Sequence, residues 1–242
     1  MARSILITGA GARVGRVLAM GLAEDGWSVA VHFNRSRTSA DRLVADIKAN
    51  GGNASAVQAN LNVPLELNSL VQRSVTSLGM PLTALINNAS TFSPDEAENF
   101  SNKGYDHHMD VNLRAPLKLS QHFAAQVPDD GVRVIINMLD QRVLVPSPDF
   151  FTYSVSKSAL FAATKTMAQA FAPKVRVCGI GPGPTMKNIH QSEQEFDDEK
   201  ARTLLNEGSP PETILHAVKY VLSANAVTGQ MIAVDGGEHL IF

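Results

Sequence analysis

Tyr153 and Lys157 stand four residues apart in the run Tyr153-Ser-Val-Ser-Lys157. On an α-helix that spacing puts both side chains on one face, one turn from each other. An ammonium beside a phenol favours the phenolate, so the pair is expected to draw the tyrosine pKa down toward working pH. Such a phenol can exchange a proton with a reacting oxygen or nitrogen. A tyrosine and a lysine also fall four apart on exposed helices by chance. The rest of the chain must decide between the two readings.

A second stretch points to phosphate. Thr8-Gly-Ala-Gly-Ala-Arg-Val-Gly15 follows the apolar run Ser4 to Thr8 and opens a periodic stretch through Val14, Val17, Leu18 and Leu22. That reads as strand, turn and helix. Glycines at such a turn, here Gly9 and Gly15, let backbone N–H groups approach a phosphate, and the helix N-terminus favours its charge. Arg13 stands where a third glycine is expected; its guanidinium either binds phosphate or is a solvated first-turn arginine. The end of the second strand carries His32, Asn34, Arg35, Ser36 and Arg37, with no acid before Asp41. A carboxylate there would bond the ribose 2′-OH of NAD, whereas basic and hydroxyl groups suit the 2′-phosphate of NADP.

The elements that position these groups follow from patterning. Apolar runs at Trp27 to Phe33, Ala54 to Ala59, Leu82 to Asn87, Val132 to Met138, Val175 to Ile180 and Met231 to Val234 read as further strands. Helical stretches lie between them: Ala40 to Ala49, Pro64 to Leu78, Asp106 to Val127, Phe151 to Ala172 and Pro210 to Ser223. The β-α alternation predicts one α/β domain over 1–242, a Rossmann-type, doubly wound parallel β-sheet of about seven strands with helices on both faces. Residues 181–207 form a long polar insertion, read either as a lid over a site or as a charged surface loop.

Composition narrows the partners. A net charge of −2 gives no electrostatic case for nucleic acid or an anionic membrane. The single cysteine, Cys178, excludes an internal disulfide and a cysteine zinc cluster. No His, Asp and Glu set has ligand spacing, so no metal is expected. No apolar run is long enough to span a bilayer, and the first strand starts almost at once, so a cytoplasmic location is the default.

Together these residues resemble the short-chain dehydrogenase/reductase family over essentially the whole chain. The turn Thr8 to Gly15, Asn87-Asn88-Ala89, Asn112, Tyr153 with Lys157, Pro182-Gly183 and Asp235-Gly236-Gly237 match its motifs in order. Within the family the chain is most similar to pteridine and dihydromonapterin reductases. Arg13 in the turn, His32-Phe-Asn-Arg35-Ser36, the segment Asn87-Asn88-Ala89-Ser90-Thr91-Phe92 and Asp140 carry that likeness. Most of the family has serine where Asp140 stands, thirteen residues before the tyrosine.

The resemblance implies NADPH as cofactor. Its contacts would be Gly9, Arg13, Val14, Gly15, His32, Arg35, Ser36, Asn60, Leu61, Asn88, Ala89, Ser90, Tyr153, Lys157, Pro182 and Gly183. Asn60-Leu61 departs from the usual Asp at that place. Asp140, Tyr153, Lys157 and Asn112 would be catalytic, Asn112 by holding a water near the lysine. Arg13, Ser90, Phe92, Asp140 and Tyr153 would meet a pterin, with Phe92 stacking on its ring; a plain core phenylalanine and a turn serine are the bland readings of Phe92 and Ser90. Reduction of a pterin C=N bond needs a proton on nitrogen, which Asp140 can pass through the phenol. The alternatives are a carbonyl reductase acting on a 3-oxoacyl or sugar ketone, and a non-catalytic NADP(H)-sensing protein. The family also implies a homotetramer. The apolar chain end Leu240-Ile241-Phe242 suggests a covered surface.

Overall fold

The computed structural model describes residues 3–126, 133–187 and 191–241; the expected helix end at Val127, the strand start at Val132 and the terminal Phe242 lie outside the described residues. The strands are β1 (Ser4–Ile7), β2 (Ser28–Phe33), β3 (Ala54–Gln58), β4 (Ala84–Asn87), β5 (Arg133–Met138), β6 (Val175–Pro182) and β7 (Met231–Val234). They form one sheet in the order β3-β2-β1-β4-β5-β6-β7, with every pair parallel. Parallel neighbours require crossovers. These are supplied by α1 (Arg13–Glu24), α2 (Arg37–Ala49), α3 (Pro64–Leu78), α4 (Asn102–Met109), α5 (Ala115–Ala125), α6 (Phe151–Phe171) and α8 (Pro211–Ser223), with α7 (Glu193–Ala201) added before α8.

Strand residues alternate between two buried faces. Ile5 and Ile7 pack with Leu18, Leu22, Leu43 and Val218 on one side. Leu6, Leu85 and Ile135 pack with Leu70, Leu119, Phe123 and Met167 on the other. The period of two along each strand feeds both layers, which is why these strands read as continuous apolar runs. Each fully buried Leu or Ile side chain contributes roughly 1.5–3 kcal/mol. No helix among the described residues is long and apolar enough to cross a membrane.

Two elements differ from expectation. The helix expected from Asp106 begins at Asn102, where Ser101 Oγ accepts from Gly104 N–H at 3.1 Å. It is then interrupted by a π turn over Asp110–Arg114. In the polar insertion, α7 starts on a capping box: Ser192 Oγ accepts from Glu195 N–H at 3.2 Å, and Glu195 accepts from Ser192 N–H at 2.7 Å. Helix α7 buries no residue, so it carries no apolar stripe for a pattern reading to find. The Ser-x-x-Glu spacing was the available signal.

The sheet places the site. From β1 the chain winds outward to β2 and β3, and from β4 onward it winds the other way. At such a switch point the C-terminal strand ends diverge and leave a crevice.

Candidate active site

The crevice is a cleft of about 1280 Å³ along the C-terminal edge of the sheet. Following the strand order, it is lined by Gly9 to Gly15 after β1, Asn88 to Phe92 after β4, Met138 to Arg142 after β5, Pro182 to Met186 after β6 and Glu238 after β7.

The turn after β1 is built for a close approach. Gly9 has a φ of +65°, and a Cβ on Gly15 would lie 2.4 Å from Gly9 O and 2.7 Å from Asn88 Nδ2. Helix α1 opens on Ala12 with no side-chain cap and no acid in its first turn. Its unpaired N–H groups and its dipole suit an anion there. Arg13 has a φ of +50°, in the left-handed region that favours glycine. It therefore occupies the backbone slot of the missing third glycine. Its guanidinium donates to Met186 O at 2.8 Å and Lys187 O at 3.0 Å, across the cleft mouth. Neither alternative raised for Arg13, phosphate or bulk solvent, anticipates that contact.

His32 lines the cleft but is only 2 % exposed. Gly9 N–H donates to its Nδ1 at 3.0 Å, so Nε2–H donates to Ala59 O, also at 3.0 Å. Burial pushes its pKa down to about 4, keeping the ring neutral and able to accept. His32 thus braces the glycine turn against the end of β3. Asn34, Asn60 and Leu61 line the cleft nearby, while Arg35 and Ser36 stand exposed beside it.

After β4, Thr8 Oγ1 accepts from the backbone N–H groups of Asn88 and Ala89, each at 2.9 Å. Asn112, in the π turn, accepts from Thr91 N–H at 2.8 Å and from Ser90 Oγ at 3.1 Å. Its Nδ2 donates to Thr91 O at 3.0 Å and Ser156 Oγ at 3.1 Å. These bonds tie the loop after β4 to the π turn and, through Ser156, to α6. A π turn inside a helix commonly marks a functional site.

Helix α6 carries Tyr153 and Lys157, and its start is capped from that same loop. Thr152 N–H donates to Asp95 Oδ1 at 2.9 Å and Phe151 N–H to Asp95 O at 3.2 Å. Thr152 Oγ1 also bonds Asp95 and lies 2.6 Å from His108 Nδ1, while Ser93 N–H donates to His108 Nε2 at 3.2 Å. None of these partners was foreseen, because they join segments far apart in sequence.

Tyr153 and Asp140 meet as expected: Tyr153 Oη donates to Asp140 Oδ2 at 2.6 Å. Asp140 Oδ1 accepts from Arg142 N–H at 2.9 Å, capping the 3₁₀ turn Gln141–Val143. Lys157 is 3 % exposed and donates to Met138 O at 2.7 Å. Burial lowers its pKa to about 8, against the attraction of Asp140. The expected lowering of the tyrosine pKa is reversed. Burial first, and then the charge and hydrogen bond of Asp140, push Tyr153 well above its ordinary value, with only Arg142 pulling down. Tyr153 is held as a proton-bearing acid, not a phenolate.

Phe92 faces the cleft and is 44 % exposed, so it is not a core phenylalanine. It stacks on Phe150 at 4.0 Å between centroids and meets Tyr153 edge-on at 4.7 Å. Phe150 reaches it from the left-handed region, with a φ of +57°. The Arg142 guanidinium lies 5.7 Å from the Phe92 ring and 5.1 Å from Phe150. The segment from Arg142 to Phe150 was expected beside the pocket, but the parts its two end residues play were not legible, because Phe150 depends on a left-handed backbone; Glu238, brought in from a distant chain end, is among the cleft residues that were missed.

The cradle at Gly9 and Gly15, the uncapped helix start and the buried lysine fit a nicotinamide dinucleotide. The model for "short chain dehydrogenase" matches residues 3–198. The crystal structure of FolM alternative dihydrofolate reductase 1 from Brucella suis in complex with NADP is 36% identical, with a TM-score of 0.96, covering 99% of this chain and 96% of that one. An uncharacterized oxidoreductase of Methylorubrum extorquens is 32% identical over 96% of both chains. The 3-oxoacyl-[acyl-carrier-protein] reductase FabG of Staphylococcus aureus is 28% identical over 99% of both. With its motifs gathered on one sheet edge and a family match over most of its length, the chain belongs to the short chain dehydrogenase family and is an oxidoreductase.

Proposed function

We propose that the protein is an NADPH-dependent reductase that converts a dihydropterin to its tetrahydro form. The observation that carries this reading is the 2.6 Å bond between Tyr153 Oη and Asp140 Oδ2 beside the exposed ring of Phe92. A carboxyl group behind the phenol suits delivery of a proton to a ring nitrogen. The likeness to the Brucella FolM structure supports the same substrate class.

NADPH, when bound, supplies a hydride to a ring carbon. Gly9 to Gly15 and the start of α1 hold its diphosphate, and Arg35 and Ser36 meet the 2′-phosphate. Asn60 and Leu61 lie toward the adenine. Asn88, Ala89, Ser90, Pro182 and Gly183 line the nicotinamide end, and Lys157 holds the adjoining ribose. Tyr153 donates its proton to the substrate nitrogen and regains one through Asp140. The substrate ring stacks on the face of Phe92 that Phe150 does not cover, where aromatic stacking contributes roughly 0.5–1.5 kcal/mol beyond area burial. The protein acts as a cytoplasmic homotetramer.

The test is NADPH oxidation with a dihydropterin and, in parallel, a 3-oxoacyl thioester. The expected result is turnover of the dihydropterin, reduced about 10²–10⁴-fold by Tyr153→Phe with NADPH affinity retained. The FabG relatives favour a second reading, carbonyl reduction. Turnover of the thioester alone would establish that reading instead.

A further inference from the structure

Ser93 directly follows Phe92, and Thr152 directly precedes Tyr153. One side chain bonds both of them: His108 of α4, which is 1 % exposed. Ser93 N–H donates to its Nε2 at 3.2 Å, and its Nδ1 lies 2.6 Å from Thr152 Oγ1. The imidazole also meets the Tyr153 ring edge-on, 6.2 Å between centroids.

These partners fix where the hydrogens sit. A backbone N–H can only donate, so Nε2 carries no hydrogen. A neutral imidazole then bears its hydrogen on Nδ1 and donates it to Thr152 Oγ1. The threonine hydroxyl, having accepted, gives its own hydrogen to Asp95 Oδ2, since a carboxylate only accepts. The row Ser93, His108, Thr152, Asp95 therefore runs in one direction, with each group used once. Asp95 Oδ1 ties its end back to α6 by accepting from Thr152 N–H at 2.9 Å. A second proton on His108 would make Nε2 a donor facing the donor of Ser93. The row would part at that bond, beside Phe92, while the bond to Thr152 would hold.

We propose that neutral His108 is the positioning residue that keeps the loop carrying Phe92 aligned with the helix carrying Tyr153, and that a proton taken up by His108 frees the loop. The inference rests on the reading of Tyr153 as the acid and Phe92 as the ring contact. The surroundings favour the neutral form. Burial pushes His108 below the ordinary histidine value, the Asp95 carboxylate of the loop pulls it up, and His107 of its own helix pushes it down again. Asp95 Oδ2 stands 3.8 Å from Nδ1. From α6 the facing titratable group is Tyr153, a neutral phenol. In the π turn Asp110 is paired with Arg114. Because burial outweighs Asp95, the loop stays fastened at neutral pH and is released as pH falls below about 6.5.

The experiment has a kinetic arm and a spectroscopic one. His108→Asn keeps a donor near the place of Nδ1 and removes the acceptor for Ser93. His108→Gln puts near the place of Nε2 an amide oxygen that no proton removes in this pH range. For the native protein kcat/KM at saturating NADPH should fall as pH drops from about 7 to about 5. His108→Gln should flatten that acid limb. His108→Asn should lie about tenfold or more below the native value at about pH 7 and show no limb, with NADPH affinity in a fluorescence titration within about twofold of native. A histidine with only a structural part would lower affinity and activity together and leave the limb in place. In the second arm, NMR of protein with isotope-labelled histidine should show the His108 hydrogen on Nδ1 and a bare Nε2 at about pH 7. Hydrogen on Nε2, a native profile without the limb, or a limb that His108→Gln leaves in place overturns the inference. The kinetic arm uses whichever of the dihydropterin and the 3-oxoacyl thioester the native protein reduces. Failure of the dihydropterin reading then appears as a change of substrate, separate from the result for His108. A protein that reduces neither removes Tyr153 as the acid, and the role of His108 falls with it.

Discussion

At the scale of single residues, the proton chemistry rests on two buried groups whose environments pull in opposite directions. Tyr153 is pushed up and Lys157 down to about 8. The phenol stays protonated across the ordinary range and can act as an acid. The lysine carries its charge below about pH 8 and loses it above. If the ammonium form holds the ribose, kcat/KM for NADPH should fall as pH rises through about 8, because this parameter reports groups of the free enzyme. A pH profile between about 6 and 10 checks it; a profile level through that window would remove Lys157 from cofactor binding. Tyr153 and Lys157 became legible only when their spacing was joined to the other motifs of the chain, and the direction of the tyrosine shift was not legible at all. Spacing shows that a cation is near; it does not show that burial and a carboxylate outweigh it.

At the scale of elements, the strand-turn-helix unit over β1 and α1 was readable because glycine's requirement is local. Gly15 leaves no room for a Cβ between Gly9 O and Asn88 Nδ2. Gly15→Ala must therefore displace the turn. The expected cost is about 1–3 kcal/mol of stability, as for other overpacked sites. If the amides of the turn meet the diphosphate, as proposed, NADPH affinity should weaken by at least about tenfold. Thermal unfolding and fluorescence titration measure the two effects; an unchanged affinity would take the diphosphate away from this turn. Other elements were hidden for a physical reason. Helix α7 has Phe196 but no apolar stripe, and the π turn at Asp110–Arg114 depends on how the helix meets its neighbours. Asp95 caps a helix that begins 56 residues later in the chain, at Phe151.

At the scale of the whole molecule, the β-α alternation carried the sheet and its two buried layers. Each strand is a short apolar run bounded by turn signals, and parallel pairing buries both its faces. What alternation could not show is how the far end of the chain returns to the cleft and brings Glu238 to the reacting edge. Leu204, Leu205 and Leu240 remain more than half exposed, and Ile241 more than a third. Apolar exposure of this kind near the last strand suits contact between copies. Light scattering of the eluted protein should give about four times the 25.9 kDa of one chain. Leu205→Glu should shift that mass downward; a native monomer would exclude the homotetramer.

Asp95 belongs to the loop that presents Ser90 and Phe92, yet it also fastens the first turn of α6. The shelf for a flat ring and the acid that would protonate it are thereby riveted together. Pressure from an ill-fitting guest would tilt the acid along with the shelf, whereas a well-seated one would leave both in alignment.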